Sequence, residues 1–159
     1  MKDFEIVAKI KVYDIDACIG IKKKLIESAQ YATQSAYAPY SKYKVGAAVL
    51  LENGEIIRGN NQENAAYPSG LCAERTALFY ANASHPDQSV KMVAITAFYN
   101  GDFTSETCTP CGSCRQVLLE VENRFKTPVT ILMCSKDKVY ESSSAKDLLP
   151  LCFSDKSFE

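Results

Sequence analysis

Apolar and polar positions alternate at the start of the chain. Phe4, Ile6, Ala8, Ile10 and Val12 fall on one side, with Glu5, Lys9 and Lys11 among those on the other, which predicts a half-buried strand over 4–12. From 14 to 36 the period changes. Ile15, Ile19, Leu25, Ile26 and Ala29 share one helical face and Lys22, Lys23 and Lys24 lie on another, so a helix is expected there, ended by Pro39. Two strands, 45–51 and 55–59, flank Asn53-Gly54, the strongest short signal for a hairpin because both residues tolerate positive φ. A polar loop over 60–70 leads to a helix from about 72 to 82, and 90–98 reads as a buried strand. A loop through Gly101 and Thr104 reaches Pro110, where a helix starts and runs to about 124. Strands at 129–134 and 138–141 and a short helix at 145–149 complete the pattern. Strands alternating with helices indicate a layered α/β sheet.

Composition narrows the class. A chain of 159 residues with 47% apolar content is expected to fold as one domain over 1–159, with residues 1–13 as an extra N-terminal strand. The net charge is −1 and the lysines are interspersed with acids, so a dedicated nucleic-acid surface is not expected. Charges interrupt every apolar stretch of the N-terminus, and no run approaches the 18–20 residues of a membrane helix. The expectation is a cytoplasmic protein without a membrane partner.

The seven cysteines change the picture. Their odd number fits reduced thiols better than a disulfide framework, and Cys108, Cys111 and Cys114 cluster within seven positions. Cys111 and Cys114, three apart in the first turn of a helix, share a face, so both sulfurs can reach one ion. Free N–H groups and the positive dipole end there favour thiolate. Pro110 is expected at the first helical position. Cys108 and Cys111 offer the competing register, with Cys108 preceding the helix.

The second segment is Cys72-Ala73-Glu74-Arg75. Residues two apart diverge by about 200° around a helix. At a helix start, however, side chains tilt toward the N-terminus and can converge on an ion ahead of it. Cys72 becomes a third ligand, and Glu74 stands beside the fourth position without occupying it. Three protein ligands and an open position are the mark of catalytic zinc, one ion per chain. Arg75, and by its position Arg115, can donate to the sulfurs and offset their excess negative charge. The lone histidine, His85, is expected in a solvated loop. A closed four-thiolate structural site using Cys72, Cys108, Cys111 and Cys114 also accounts for the cysteines, but leaves Glu74 and the 61–64 loop without a role.

Cys72-Ala73-Glu74-Arg75-Thr76-Ala77 together with Pro110-Cys111-Gly112-Ser113-Cys114-Arg115-Gln116 resembles the zinc-dependent cytidine deaminases. Tyr37 to Ser41, Val45 to Ala48, Asn61 to Ala65 and Leu148 to Pro150 agree with it, so the resemblance spans about 20–153. It implies a three-layer α/β/α sandwich around a mixed five-stranded sheet. It also implies hydrolytic deamination of free cytidine and deoxycytidine in pyrimidine salvage, with Glu74 shuttling protons. Cys-Ala-Glu in place of His-Ala-Glu resembles the free-nucleoside branch rather than relatives acting on nucleic acids. By position, the resemblance implies that Asn61 and Glu63 bind the ribose. It places Tyr43, where the family has phenylalanine, against the pyrimidine, and the Ala73 N–H and Thr109 carbonyl at the base. Ala65, Tyr67 and Phe153 correspond to positions reaching a neighbouring subunit's pocket in a homotetramer, less often a dimer.

Overall fold

The computed structural model describes residues 1–154 and 158. Numbered along the chain, the strands are β1 (Ile10–Asp14), β2 (Lys44–Leu51), β3 (Ile56–Asn60), β4 (Val90–Tyr99), β5 (Asp102–Phe103), β6 (Thr130–Cys134) and β7 (Lys138–Ser142). The helices are α1 (Gly20–Ala32), α2 (Ala73–Ser84) and α3 (Gly112–Phe125). All seven strands join one sheet in the order β1-β7-β6-β4-β2-β3, with β5 folded back onto β4. Among the strands of the described residues, only β4 and β6 pair in parallel. The five expected strands are therefore present as β2, β3, β4, β6 and β7, and the sheet is larger than expected by β1 at its edge and by the two-residue β5.

Both sheet faces are covered, which explains why β2 and β4 read as nearly continuous apolar runs. Ala47, Val49, Val93, Ile95, Ile131 and Met133 pack with Ala77, Leu78, Leu118 and Leu119 of α2 and α3. The alternate residues Ala48, Leu50, Ala94, Leu132 and Cys134 pack with Leu25, Ile26 and Ala29 of α1. Glycines let the layers close. A Cβ on Gly46 would lie 2.1 Å from the Ala29 carbonyl oxygen, and one on Gly59 would lie 2.4 Å from the Ala77 nitrogen. Among the described residues no helix is long and apolar enough to cross a membrane.

The N-terminal strand departs from the alternation. It forms at Ile10–Asp14 rather than over 4–12, and it pairs with β7 of its own chain. Ile10 and Val12 are exposed, while Tyr13 packs toward α1. The cause is Glu141 on β7, a buried carboxylate opposite Lys11. It accepts from the Tyr13 hydroxyl and the Lys22 ammonium of α1, with Lys11 Nζ 3.7 Å away. A buried acid needs such donors, and satisfying it turns the polar side of β1 inward. The helix expected over 14–36 is shorter, because Cys18 and Ile19 are extended and Gly20 has φ +60°.

Strand direction assembles the site. β3 is antiparallel to β2, and β2 is antiparallel to β4, so β3 and β4 run the same way. The chain leaves both at one end of the sheet, and α2 and α3 both start from that end. Ligands bind outside the carboxyl ends of strands in open α/β sheets for this reason.

Candidate active site

Cys72 is the N-cap of α2 and Cys111 the N-cap of α3, both with extended backbone. Cys114 lies in the first turn of α3. Helix α3 starts at Gly112, so Pro110 sits before the cap rather than at the first helical position. The three sulfurs converge, with Cys72 to Cys111 at 3.8 Å, Cys111 to Cys114 at 3.5 Å, and all within 4.8 Å of one another. A tetrahedral zinc with Zn–S bonds of about 2.3 Å places its sulfurs about 3.8 Å apart, so the trio fits that ion. Among the described residues it is the one group of metal-ligating side chains so gathered. Cys108 lies outside it, buried, with its N–H donating to the Cys134 carbonyl. His85 caps the far end of α2 and faces Glu55 at 3.6 Å.

The hydrogen bond from the Cys114 thiol, then the Arg75 guanidinium, hold Cys72 down to about 5 despite its burial. The same bond pushes Cys114 up. Arg75 reaches the Cys72 sulfur at 3.5 Å, while its Nε is buried without a hydrogen-bond partner among the described residues. Arg115 does not serve the sulfurs. It donates to the carbonyls of Pro110 and Leu148 at 2.8 and 2.9 Å, tying the start of α3 to the C-terminal turn. Burial pushes the Cys108 thiol up to about 12.

Glu74 is only 4% exposed at the start of α2, and burial, before the neighbouring Cys72, pushes its carboxyl above the ordinary range. It lines a cavity of about 330 Å³ together with Tyr43, Val45, Asn61, Cys72, Ala73, Thr107, Cys108, Thr109 and Cys111. That cavity gathers Tyr43, Asn61, Ala73 and Thr109 from the expected substrate residues. Asn61 also serves the backbone. It accepts from Val45 N–H and donates to the Tyr43 carbonyl, at 2.8 and 2.9 Å, and so fixes the start of β2. Glu63 stands apart, holding Tyr40 N–H at 2.9 Å and the Ser41 hydroxyl at 2.5 Å. That hydroxyl keeps its carboxyl below the usual range. Glu63 and Tyr67 line an adjoining depression that shares Asn61 and Cys72 with the cavity. Ala65 and Phe153 line neither; both are exposed, and Gln116 donates to the Phe153 carbonyl at 3.0 Å. Sequence reasoning missed Val45, Thr107 and Cys108 as lining residues. The strand parity of Val45 with Tyr43 was a usable signal for the first, and nothing marked the other two.

Two helix N-termini that bring three thiols to one point, with Cys72, Cys111 and the buried carboxylate of Glu74 lining one cavity, define a zinc-dependent hydrolytic enzyme. The family model described as the cytidine and deoxycytidylate deaminase zinc-binding region matches residues 20–130, and the chain belongs to that family. The cytidine deaminase of Sporosarcina psychrophila is 44% identical over 132 residues, covering 83% of this chain and 90% of that protein. The probable cytidine deaminase of Dictyostelium discoideum is 36% identical over 132 residues, 83% of each chain. The crystal structure of cytidine deaminase from Burkholderia pseudomallei aligns with a TM-score of 0.70 at 38% identity, over 82% of this chain and 98% of that one.

Proposed function

We propose that the protein hydrolyses the exocyclic amine of free cytidine and deoxycytidine, releasing ammonia and leaving uridine or deoxyuridine. The observation that carries this reading is the cavity of about 330 Å³ that is lined both by the buried Glu74 and by Cys72 and Cys111 of the three-thiol cluster. Cys72, Cys111 and Cys114 hold the zinc, and Arg75 offsets the charge of its thiolates. Zinc, when bound, supplies Lewis acidity and lowers the pKa of a water toward neutrality. Glu74 does the proton work. It takes one proton from the attacking water and delivers it to ring N3, then takes the remaining proton from the new C4 hydroxyl and passes it to the amine as the C4–N bond breaks and ammonia leaves. Burial that raises its pKa suits a group that must both accept and donate near neutral pH.

Binding falls to the remaining residues. The Ala73 N–H and Thr109 carbonyl read the base, Tyr43 forms a wall against the ring, and Asn61 with Glu63 meets the ribose hydroxyls. Asn61 belongs to both the cavity and the depression holding Glu63, which supports this division. Tyr67 is 83% exposed and Phe153 60% exposed. With Ala65 they complete a neighbouring subunit's pocket in a homotetramer, and the enzyme works in cytoplasmic pyrimidine salvage on free nucleosides rather than nucleic acid.

The test is ultraviolet absorbance of the purified protein with cytidine, with and without a strong zinc chelator. Chelator-sensitive conversion with ammonia release is expected. A sample with one zinc per chain that converts neither nucleoside would overturn the substrate assignment. Light scattering on a sizing column checks the assembly, and a monomer with full activity would remove the shared pocket.

A further inference from the structure

Strand β1 ends the strand order, so its outer edge has no strand beside it among the described residues. It also lies ahead of residues 20–130, the part that the family model matches. Residues 1–9, which lead into it, are exposed throughout, the large apolar side chains of Phe4, Ile6 and Val7 included. Ile10 and Val12 are exposed on β1 itself, and Tyr140 of β7, opposite Val12, extends that open apolar row. An unpaired strand edge with exposed apolar residues is a template for pairing with another chain.

The order of charges identifies the partner as a second copy of this chain. Side chains alternate between the two faces of a strand. Ile10 and Val12 take the open face, while Lys11 and Tyr13 take the face of Glu141. Carried back along the strand, Phe4, Ile6 and Ala8 join the open face, and Asp3, Glu5, Val7 and Lys9 join the other. On that second face two acids precede Val7 and two lysines follow it at matching distances. Asp3 and Lys11 are four positions from Val7, and Glu5 and Lys9 are two. A second copy laid antiparallel about a two-fold axis at Val7 therefore sets Asp3 of each copy against Lys11 of the other, and Glu5 against Lys9. On the open face it sets Phe4 against Ile10 and Ile6 against Ala8. Moving the axis to Ile6 keeps only the pair Asp3 with Lys9 on the charged face, and moving it to Ala8 keeps only Glu5 with Lys11. Lys11 has room for a second carboxylate, because it is 77% exposed and 3.7 Å from Glu141. We propose that residues 3–11 form an antiparallel pair with the same residues of a second copy, a self-complementary interface that joins two sheets at their β1 edges. Residues 10–14 stay on β7, so residues 3 and 4 of each copy add to the outer edge of the other's β1, and residues 5–9 of both bridge the two sheets.

The pairing uses none of the residues that line the cavity, and it stands or falls apart from the reading of the reaction. Opposite residues of an antiparallel pair lie about 4.5–5.5 Å apart between Cα atoms, within the span of a disulfide. The experiment reads that proximity. Val7→Cys is oxidised with diamide and the covalent dimer is measured on a non-reducing gel, with the parent and its native cysteines as the baseline. Val7→Cys is expected to cross-link well above the parent. Glu5→Lys and Lys9→Glu, each added to Val7→Cys, set like charges against each other twice and are expected to slow cross-linking about ten-fold. An equal mixture of these two variants is expected to recover it, because positions 5 and 9 then carry only cations in one copy and only acids in the other. Four results would overturn the proposal: Val7→Cys that links no more than the parent, linking indifferent to both charge reversals, a mixture that stays slow, or self-linking of Ala8→Cys above that of Val7→Cys. No arm of the test uses substrate, so a failure of the nucleoside assignment leaves its outcome untouched.

Discussion

Removing the buried carboxylate of Glu141 should loosen the β1–β7 edge without touching the chemistry. The Glu141 side chain is 9% exposed and Lys22 is 35% exposed. Two donors converge on it, the Tyr13 hydroxyl and the Lys22 ammonium. Hydrogen bonds to a charged group are worth about 1.5–3 kcal/mol each. Lys22 can recover solvation once freed, so its share is discounted, and Glu141→Ala should cost about 2–3 kcal/mol. For a chain of this size that lowers Tm by about 5–10 °C. Lys11, 77% exposed and 3.7 Å from the carboxylate, should contribute within about 0.5 kcal/mol. Burial alone would raise the Glu141 pKa, but the hydrogen bonds from Lys22 and Tyr13 and the nearby lysine charges outweigh it and hold it below the ordinary range. Between that lowered value and the unfolded one, the native chain binds fewer protons than the unfolded chain, so stability rises with pH there. The contribution is complete above the ordinary carboxylate range and is lost as the pH falls through the lowered value. The assay is urea unfolding followed by far-ultraviolet circular dichroism, with zinc and protein concentration fixed. Runs at pH 7 and near pH 3 compare parent and variant. A Glu141→Ala midpoint equal to the parent's at pH 7, or a deficit as large at the acid pH, would refute the reasoning. So would a large change in KM, since Glu141 lies on the α1 side of the sheet, away from the cavity.

Glu74→Gln should retain one zinc per chain and the fold while losing about 10²- to 10⁴-fold in kcat, the range of general acid–base assistance; turnover within ten-fold of the parent would end its role as the proton carrier. Cys111→Ala should lose zinc, whereas Cys108→Ala should keep it, as measured by metal analysis after dialysis, and the reverse result would show that the register of the cluster is wrong. Gly59→Ala forces a methyl to within 2.4 Å of the α2 backbone, so it should cost about 1–3 kcal/mol, the usual range for overpacking. Because α2 carries Cys72 and Glu74, it should also lower kcat, and an unchanged midpoint and kcat would show that α2 is free to shift.

The legible and illegible parts of the structure divide by where the determining contact lies. Asn53-Gly54, the apolar runs 45–51 and 90–98, and the spacing of Cys111 and Cys114 encode local geometry, and the corresponding elements form within a residue or two of the expected places. The half-buried position of Tyr13 is set by Glu141, 128 residues beyond it, and no periodicity within 4–12 could report it. Alternation gives the two faces of a strand but not which face the fold will bury; here one distant acid decides. The same limit hid Cys108. As a cysteine three positions before Cys111 it looked like a rival ligand, and its role as a cavity wall depends on the Cys134 carbonyl that holds it. Asn61 shows the converse. Its polarity marked it for the site, but the structure adds that both ends of its amide are committed to Tyr43 and Val45.

The convergence of the site follows from connections that the order of elements contains only implicitly. A hairpin reverses β3 against β2, and the further antiparallel pairing of β2 with β4 restores the original direction. The helix after β3 starts at that shared end, and so does α3, which follows β4 after only the two-residue β5. Cys72 and Cys111 cap those two helices, so 39 residues of separation collapse to 3.8 Å. Each helix brings the positive end of its dipole to that point, an environment suited to negatively charged sulfur ligands. The arrangement also fixes which residues can join. A side chain must lie at a cap or in the first turn to reach the ion, a condition met by Cys72, Cys111 and Cys114. Glu74, buried in the first turn of α2, lines the same cavity as Cys72 and Cys111. Moving any ligand by a single residue along its helix would rotate it about 100° away from the shared point, so the site tolerates sequence change around the caps far better than at them.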